Sequence, residues 1–506
     1  MKRRSIAAAL AAGVAVTLAL CSAAAAAAAA PAESIVATPC WFPPPSSRPV
    51  RCGTLNVPER RDGLSARKLG LRFVVFRAAR DAGLPPVINV SGGPGVPSLI
   101  DAASIGRWAQ WTTHESWLAN RDLVLFDQRG VGLSEPDMRC PEFATAAEQV
   151  FARALPSDAS DALWRKAAIT CRARLEAAGI DLAQYHKAAI AADLRALAAG
   201  LGYRSVVLLA SSYGARVALG AAALEPERFA ALILDSPDPP GMAELSSAAS
   251  AAAGAFDAMF RACEAQPACA KAYPALRGRF ARLLDAAAKA PLRVKAGDAK
   301  GTIAAQLDDA KLIEVLLQAF YDGAEIETLP AVIAAAAAGD TAPLLPLLRR
   351  MHAQYAQGGV SLGLYLSVEC HDEFPFDPRD EVAAAARAQP LFQRFALANL
   401  PLAACPAWRR SSAGAAERRM QPVSVPTLIL TGELDPVTPP KEAQALAASL
   451  PQAHLLRFPG LGHGVLGMSS CATWLVDAFL ADVRKAPVHD CLLTLGPPRF
   501  HLSMAR

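Results

Sequence analysis

The sequence predicts an α/β fold, with a mostly parallel central sheet flanked by helices and a helical cap inserted into it. Short apolar segments such as 122–126 and 205–209 alternate with stretches of helical composition and period. The same alternation returns late in the chain, for example at 427–430. Between them, residues 240–400 are rich in alanine and contain few runs of β-branched residues. Short strands that alternate with helices are typical of parallel sheets, and the interruption indicates an insertion.

The position of this interruption divides the chain into domains. We predict that residues 31–239 form the first part of the α/β core and that residues 240–400 form the helical cap. Residues 401–506 would then complete the core.

The first thirty residues are typical of a secretory signal peptide. Basic residues at 2–4 precede an apolar run, and alanines continue up to Pro31. This order matches the charged, apolar and small-residue regions of an export signal. We therefore predict a signal peptide at 1–30, no membrane span after its removal, and a secreted or periplasmic protein. We do not expect a lipid anchor at Cys21, because Leu20 stands where a lipoprotein cleavage site has a small residue.

The charge of the chain argues against a nucleic-acid partner. The net charge is +5, and three of the positive charges belong to the predicted signal peptide. No basic run follows that would attract nucleic acid or a membrane surface. We expect a peptide or small ester as the ligand, and the oligomeric state stays open.

The cysteines predict disulfides and no metal site. Of eleven cysteines, ten remain after Cys21, and none forms a Cys-x-x-Cys pair. An even number in an exported chain favours disulfides, although spacing alone does not fix their connectivity. We propose pairing in chain order: Cys40–Cys52, Cys140–Cys171, Cys263–Cys269, Cys370–Cys405 and Cys471–Cys491.

A strand-to-helix turn contains the candidate nucleophile. Such a turn strains the backbone of its serine, so the residues two before and two after must be small. Centred on Ser212 these neighbours are Ala210 and Gly214, whereas centred on Ser211 they would be a leucine and a tyrosine. The steric requirement therefore selects Ser212. An ordinary polar turn is the alternative for the pentapeptide taken alone.

Two backbone N–H groups are candidates for stabilising an oxyanion. Tyr213 follows the serine at the start of a helix, where the partial positive charge of the N-terminus favours an anion. The second donor would come from the glycine-rich loop at 91–95, because glycine lets the backbone approach a substrate closely. A plain turn is the alternative for that loop.

A base and an orienting acid follow later in the chain. Asp435 lies just after the predicted strand at 427–430, with Glu433 as a rival acid. His463 lies between two glycines just after another predicted strand. A serine hydroxyl needs such a base, and the order serine, acid, histidine is the one expected at successive strand ends. We therefore predict a triad of Ser212, Asp435 and His463 that needs no metal or cofactor.

These motifs together resemble the proline iminopeptidase and tripeptidyl aminopeptidase group of α/β-hydrolases, and most closely its secreted tripeptidyl aminopeptidase-like branch. The matching segments are 91–95, 127–134, 211–214, 431–439 and 462–464, together with a C-terminal region at 405–491.

The resemblance implies an α/β-hydrolase fold with the same triad. It also implies an oxyanion hole formed by Gly93 and Tyr213, and bracing of the site by Asp127 and Arg129. Two positions depart from the family pattern. Ser91 replaces the usual histidine of the glycine-rich loop, and alanine replaces the first glycine of the serine motif.

Members of this group bind the substrate's α-ammonium through carboxylates of the cap. We predict that Glu369 and Glu373 serve this purpose, because they lie in an acidic cluster around Cys370. The alternative is a solvated loop fixed by the disulfide of Cys370. The leading function is a peptidase that releases short N-terminal units, the second is an esterase on small acyl esters, and the third is a non-catalytic binding protein on the same fold.

Overall fold

The computed structural model describes residues 33–298, 301–356 and 359–503, with a nine-stranded sheet at its centre. The predicted signal peptide and Cys21 lie outside the described residues. In chain order the strands are β1 (Ser34–Thr38), β2 (Val50–Pro58), β3 (Lys68–Phe76), β4 (Val87–Val90), β5 (Leu123–Phe126), β6 (Val206–Ser211), β7 (Phe229–Asp235), β8 (Leu292–Asp298), β9 (Gly301–Leu307), β10 (Thr427–Gly432) and β11 (Ala453–Phe458).

The order in the sheet is β1-β2-β3-β5-β4-β6-β7-β10-β11. The pairings from β5 to β11 are parallel, and those of β1, β2 and β3 with their neighbours are antiparallel. Every residue of β4, β5 and β10 is buried, since helices cover both faces of a parallel sheet. The predicted α/β fold with a mostly parallel sheet is therefore confirmed.

Five helices of the core pack against the two faces of the sheet. They are α1 (Ile105–His114), α4 (Lys187–Gly200), α5 (Gly214–Leu224), α17 (Pro440–Ser449) and α18 (Ser470–Ala481). One apolar cluster joins α1 and α18 to one face, and a larger cluster joins α4 and α5 to the other face and continues into the cap. The carboxyl ends of β6, β10 and β11 consequently open beneath the cap, where ligands of open α/β sheets bind.

The cap contains the remaining helices and lies between β7 and β10, with a contribution from the segment between β5 and β6. Its helices are α2 (Glu142–Ala152), α3 (Ser157–Ala177), α6 (Glu244–Glu264), α7 (Pro267–Ala272), α8 (Leu276–Lys289), α9 (Asp309–Leu317), α10 (Gly323–Ala337), α11 (Leu345–Ala356), α12 (Leu362–Val368), α13 (Arg379–Ala386), α14 (Gln393–Leu397), α15 (Leu400–Trp408) and α16 (Ala415–Arg418).

The cap differs from the prediction in three respects. Helices α15 and α16 belong to it, although nearly all of their residues lie in the segment 401–506 that was assigned to the core. Strands β8 and β9 pair as an antiparallel hairpin within the segment predicted to be helical. Helices α2 and α3 also pack against α11 and α15, although their residues were assigned to the core by their position before residue 240. The apolar faces of α2 and α3 are buried against the cap, so sequence position alone misplaces them.

Five disulfides join the pairs proposed from the sequence: Cys40–Cys52, Cys140–Cys171, Cys263–Cys269, Cys370–Cys405 and Cys471–Cys491. Each closes a short loop, and the pairs are distributed over both core and cap. Within the ranges that the structure describes, no helix is long and apolar enough to cross a membrane.

Candidate active site

Ser212 occupies a sharp turn between β6 and α5. Its φ is +53°, a left-handed conformation that is costly for a residue with a side chain. Its N–H donates to the Asp235 carbonyl at 3.1 Å, which holds the turn against β7. A Cβ on Gly214 would lie 2.3 Å from the Val90 carbonyl of β4, so only glycine fits there. The turn therefore requires the small neighbours on which the sequence prediction depended.

The Ser212 turn opens into a cavity of about 480 Å³. His463, Gly93 and Tyr321 line the same cavity. Within the described part of the chain, the Ser212 hydroxyl forms no side-chain hydrogen bond. Catalytic hydrogen bonds of unliganded enzymes are often long and tighten only when substrate binds.

His463 and Asp435 form a buried pair. The histidine Nδ1 lies 2.8 Å from the Asp435 Oδ2, so Nδ1–H donates to the carboxylate and Nε2 is left to accept a proton. The other carboxylate oxygen accepts the N–H groups of Val437 and Thr438 at 2.8 and 2.9 Å. The rival acid, Glu433, is exposed. The structure thus brings Asp435, and not Glu433, to the histidine.

The surroundings of His463 favour its protonated form. Burial by itself would lower the pKa of His463, but the nearby carboxylates of Asp435, Asp235 and Asp238 outweigh this and raise the pKa above its ordinary value. An imidazolium that is stabilised in this way is the species formed when a histidine takes a proton from a serine.

Two backbone N–H groups near the serine, those of Gly93 and Tyr213, are candidates for an oxyanion hole. In the described residues neither Gly93 N–H nor Tyr213 N–H donates to a protein acceptor. Gly93 has a φ of +112°, which suits glycine, and it lines the cavity together with Ser212. Free donors of this kind are what an oxyanion hole requires.

The glycine-rich loop is braced without a histidine at position 91. The hydroxyls of Ser91 and Ser98 lie 2.8 Å apart, and Ser98 donates to the Phe126 carbonyl at 2.6 Å. Gln128 donates to the Ser91 carbonyl at 2.9 Å. Serine hydroxyls and a glutamine amide therefore hold the loop in place.

Asp127 and Arg129 connect the loops beneath the site. The Asp127 carboxylate accepts the N–H groups of Ser98 and Leu133 at 2.7 and 2.8 Å. Arg129 is fully buried and donates to both oxygens of Asp193 at 2.6 and 2.8 Å. Neither side chain lines the cavity, so both contribute to structure rather than to chemistry.

Comparison with known proteins agrees with this geometry. Residues 85–272 match the family described as alpha/beta hydrolase fold, and residues 389–491 match the family described as TAP-like protein. The chain has the α/β-hydrolase fold, and its C-terminal region is similar to TAP-like proteins.

The α/β hydrolase is also similar to individual proteins. It is 28% identical over 500 residues to the serine protease Hip1 of Mycobacterium tuberculosis (strain ATCC 25618 / H37Rv), a match that covers 88% of this chain and 89% of Hip1. Among solved structures, proline iminopeptidase of Mycobacterium smegmatis is 15% identical, with a TM-score of 0.38 and coverage of 85% of this chain and 98% of that one. An esterase from Thermogutta terrifontis is 16% identical, with a TM-score of 0.33 and coverage of 83% and 96%.

The predicted ammonium-binding residues lie behind the cavity of this hydrolase. Glu369 and Glu373 form a π-helical turn after α12, and both are buried and absent from the cavity lining. Glu373 accepts a hydrogen bond from the buried guanidinium of Arg216, which also donates to Asp238 at 2.6 Å. These contacts, and not solvent, surround the acidic cluster. The alternative of a solvated loop is therefore wrong.

Glu244 is the carboxylate that lines the cavity beside this cluster. It is the first residue of α6 and lies 3.6 Å from Arg216. Burial raises the pKa of Glu244 to about 7, and the neighbouring Asp238 adds to this effect. No motif marks Glu244 in the sequence, and its one signal is its place at the start of the first cap helix after β7.

Two groups of side chains in the described ranges have the residue types of a metal site. In the first, Cys140 and Cys171 are joined as a disulfide and offer no thiolate. In the second, His186 and His371 stack with ring centroids 4.6 Å apart and an interplanar angle of 19°. A metal ion lies in the plane of each imidazole ring that binds it. The two stacked rings lie in different planes, so they are not arranged to bind one ion together.

Proposed function

We propose that this α/β hydrolase is an exported serine peptidase that cleaves short units from the N-termini of peptides. The observation that carries the proposal is the buried Asp435–His463 pair, which reaches the same cavity as the strained Ser212. The similarity to Hip1, a serine protease, supports a peptide substrate. Five disulfides support export, because such bonds persist in oxidising compartments.

The proposed reaction proceeds through an acyl-enzyme. The Ser212 hydroxyl attacks the substrate carbonyl while His463 Nε2 takes its proton, and the oxyanion that forms accepts hydrogen bonds from Gly93 N–H and Tyr213 N–H. His463 then gives the proton to the leaving amine, and the C–N bond breaks. Water attacks the ester in the second half, with His463 again taking and returning a proton. Asp435 holds the imidazole in the required tautomer throughout.

The charges around Arg216 support recognition of a free amino terminus. Asp238, Glu244, Glu369 and Glu373 surround this single guanidinium. One oxygen each of Glu369 and Glu373 has no hydrogen-bond partner in the described residues. Burial raises the pKa of Glu373 to about 8. One guanidinium among four carboxyl groups leaves the cluster short of positive charge. A substrate α-ammonium bound at Glu244 would supply that charge. Glu369 and Glu373 would then affect the ammonium through the charge of the cluster next to Glu244, without touching the ammonium.

The first experiment tests the nucleophile and the substrate class. Purified enzyme and the Ser212→Ala variant are assayed on free-amine peptidyl fluorogens, N-blocked peptides and short-chain esters. We expect turnover of free-amine peptides by the wild type and a loss of about 10⁴-fold or more in the variant. Turnover of esters alone would identify an esterase instead, and activity that survives in the variant would exclude Ser212.

The second experiment tests the ammonium site. Glu244→Gln should raise KM for free-amine peptides about tenfold or more, because a charge-assisted contact is lost. KM for N-blocked esters should stay the same. Glu264→Gln is the matched control, since Glu264 is exposed at the far end of the same helix. An equal change of KM for both substrates would show that Glu244 does not bind the ammonium.

A further inference from the structure

The cavity continues beyond the Ser212 region into a second region under the cap, here called the distal pocket. Its walls include Phe151 of α2, Trp164 of α3, Glu314 of α9 and Tyr355 of α11. These residues come from four helices and lie far apart in the sequence. Packing between α2 and α3 on one side and the later cap helices on the other creates the pocket.

Two aromatic rings of the distal pocket, those of Phe151 and Trp164, lie next to the ring of Tyr355. The ring centroids of Trp164 and Tyr355 are 5.6 Å apart, and those of Phe151 and Tyr355 are 6.2 Å apart. Phe143 stacks against Trp164 from behind and fixes its orientation. The faces of such rings attract cations and also pack against methylene chains.

Glu314 places a carboxylate among these rings without an ion-pair partner. The Tyr355 hydroxyl donates to its Oε1 at a long 3.3 Å, and no described cationic side chain forms an ion pair with it. Burial raises the pKa of Glu314 to about 7, although Lys311 opposes the shift. A buried carboxylate in this position is costly unless a cation pairs with it.

Two cationic side chains, Lys311 and Arg394, line the same cavity and are bound to other groups. Lys311 donates through Nζ to two backbone carbonyls at the C-terminal end of α2, at 2.7 and 2.9 Å. Arg394 pairs with Asp309 and lies 3.4 Å from Asp308. Both cations are held by these other groups and neither lies within ion-pair distance of Glu314, so a cation that pairs with Glu314 directly would belong to a ligand.

We propose that the distal pocket binds the side chain of a lysine or arginine within the N-terminal unit that the enzyme releases. The methylenes of that side chain lie between the aromatic rings, and its cationic end pairs with Glu314. This inference rests on the proposed peptidase function and adds a preference for a basic residue in the acyl half of the substrate. Glu244 and Glu314 then bind two different cations, because Glu244 begins α6 beside Arg216 whereas Glu314 belongs to α9 and contacts Tyr355 of α11.

The test compares lysine with norleucine, which has a chain of similar length and no charge. Free-amine tripeptidyl fluorogens carry one or the other at each of three positions in an alanine background, and a short-chain ester reports separately on the Ser212 machinery. We expect kcat/KM of the wild type to favour lysine by about tenfold or more at one position. Equal or faster cleavage of the norleucine peptides at every position would overturn the inference.

Two variants show whether Glu314 causes the preference. Glu314→Gln should reduce this preference, the ratio of kcat/KM for the lysine peptide to that for the norleucine peptide, to about twofold or less. Glu381→Gln is the matched control, because Glu381 is exposed on α13 and lies outside the cavity, and it should keep the wild-type preference. A lysine preference that persists in Glu314→Gln would overturn the assignment.

Failure of the proposed function has a different outcome. If the wild type turns over the ester but none of the tripeptides, the peptidase proposal fails and the inference fails with it. If tripeptides are cleaved without regard to the basic residue, only the inference fails. The wild-type comparison needs no variant to fold, so it decides the matter even if Glu314→Gln is unstable.

Discussion

At the scale of the residue, Ser212 could be predicted because its constraint is local. Ala210 and Gly214 are small and the neighbours of Ser211 are not, and the structure shows the positive φ that makes this difference matter. Glu244 could not be predicted in the same way. Its relation to the cavity depends on how α6 packs over the sheet, and no pattern of neighbouring residues encodes that packing.

The turn at Ser212 can be tested by adding a single methyl group at Gly214. Gly214→Ala places a Cβ 2.3 Å from the Val90 carbonyl, a backbone atom that has no room to move. We expect a loss of about 1–3 kcal/mol in the free energy of unfolding, and a fall of about tenfold or more in kcat/KM because the turn shifts. Gly220→Ala in the same helix meets only a methyl group at 3.7 Å, so it should leave kcat/KM unchanged. Equal effects of the two substitutions would contradict this account of the turn.

The environment of His463 predicts the pH dependence of the rate. The histidine must be neutral to take the serine proton, so kcat/KM falls as the pH drops through its pKa. Nearby carboxylates raise that pKa despite burial, so the midpoint should lie above about 6.5. A short-chain ester is the substrate to use, because it needs neither Glu244 nor Glu314 for recognition. A midpoint at or below the ordinary value would contradict the proposed environment.

At the scale of secondary structure, the central strands could be predicted and the cap only in outline. The strands β5, β6 and β10 are continuous apolar runs, which is the pattern of strands buried on both faces. The hairpin of β8 and β9 lies in an alanine-rich segment, where composition favours helix and hides the alternation of buried and exposed positions. Tertiary packing therefore overrode local composition there.

The disulfides allow a comparison between two elements of the cap. Cys370–Cys405 closes a loop of 35 residues and Cys263–Cys269 one of six, and all four cysteines are buried. Loop-closure entropy predicts that replacing the longer pair with alanine costs about 1.5 kcal/mol more in the free energy of unfolding than replacing the shorter pair. Denaturant unfolding of the two double variants measures the difference. An equal loss would indicate that strain or packing, and not loop length, determines the effect.

At the scale of the whole molecule, cap and core depend on each other at the active site. The backbone N–H of His463 donates to the Phe320 carbonyl of the cap at 2.8 Å. The Tyr321 ring lies edge-on to the imidazole, with 5.2 Å between the ring centroids. The histidine loop is thus held partly by the cap. A change in how the cap sits on the core should therefore reach His463 as well as the cavity.

The contact between cap and core can be changed at the C-terminal strap, residues 497–501. It runs from the core to the cap, where Gln266 donates to the Pro498 carbonyl at 2.9 Å and Tyr273 donates to the His501 carbonyl at 2.8 Å. The His501 N–H donates in turn to the Glu327 carbonyl at 2.9 Å.

Deletion of residues 497–506 removes the strap and should cost about 2–3 kcal/mol in the free energy of unfolding, since three hydrogen bonds contribute about 1 kcal/mol each. It should also raise KM for peptides, because the cap carries the distal pocket.

Deletion of residues 502–506 is the control, and it should change the free energy of unfolding by less than about 0.5 kcal/mol because it leaves all three contacts intact. Denaturant unfolding and peptide kinetics of the two truncated chains measure both effects. If the longer deletion behaves like the shorter one, the strap does not couple the cap to the core.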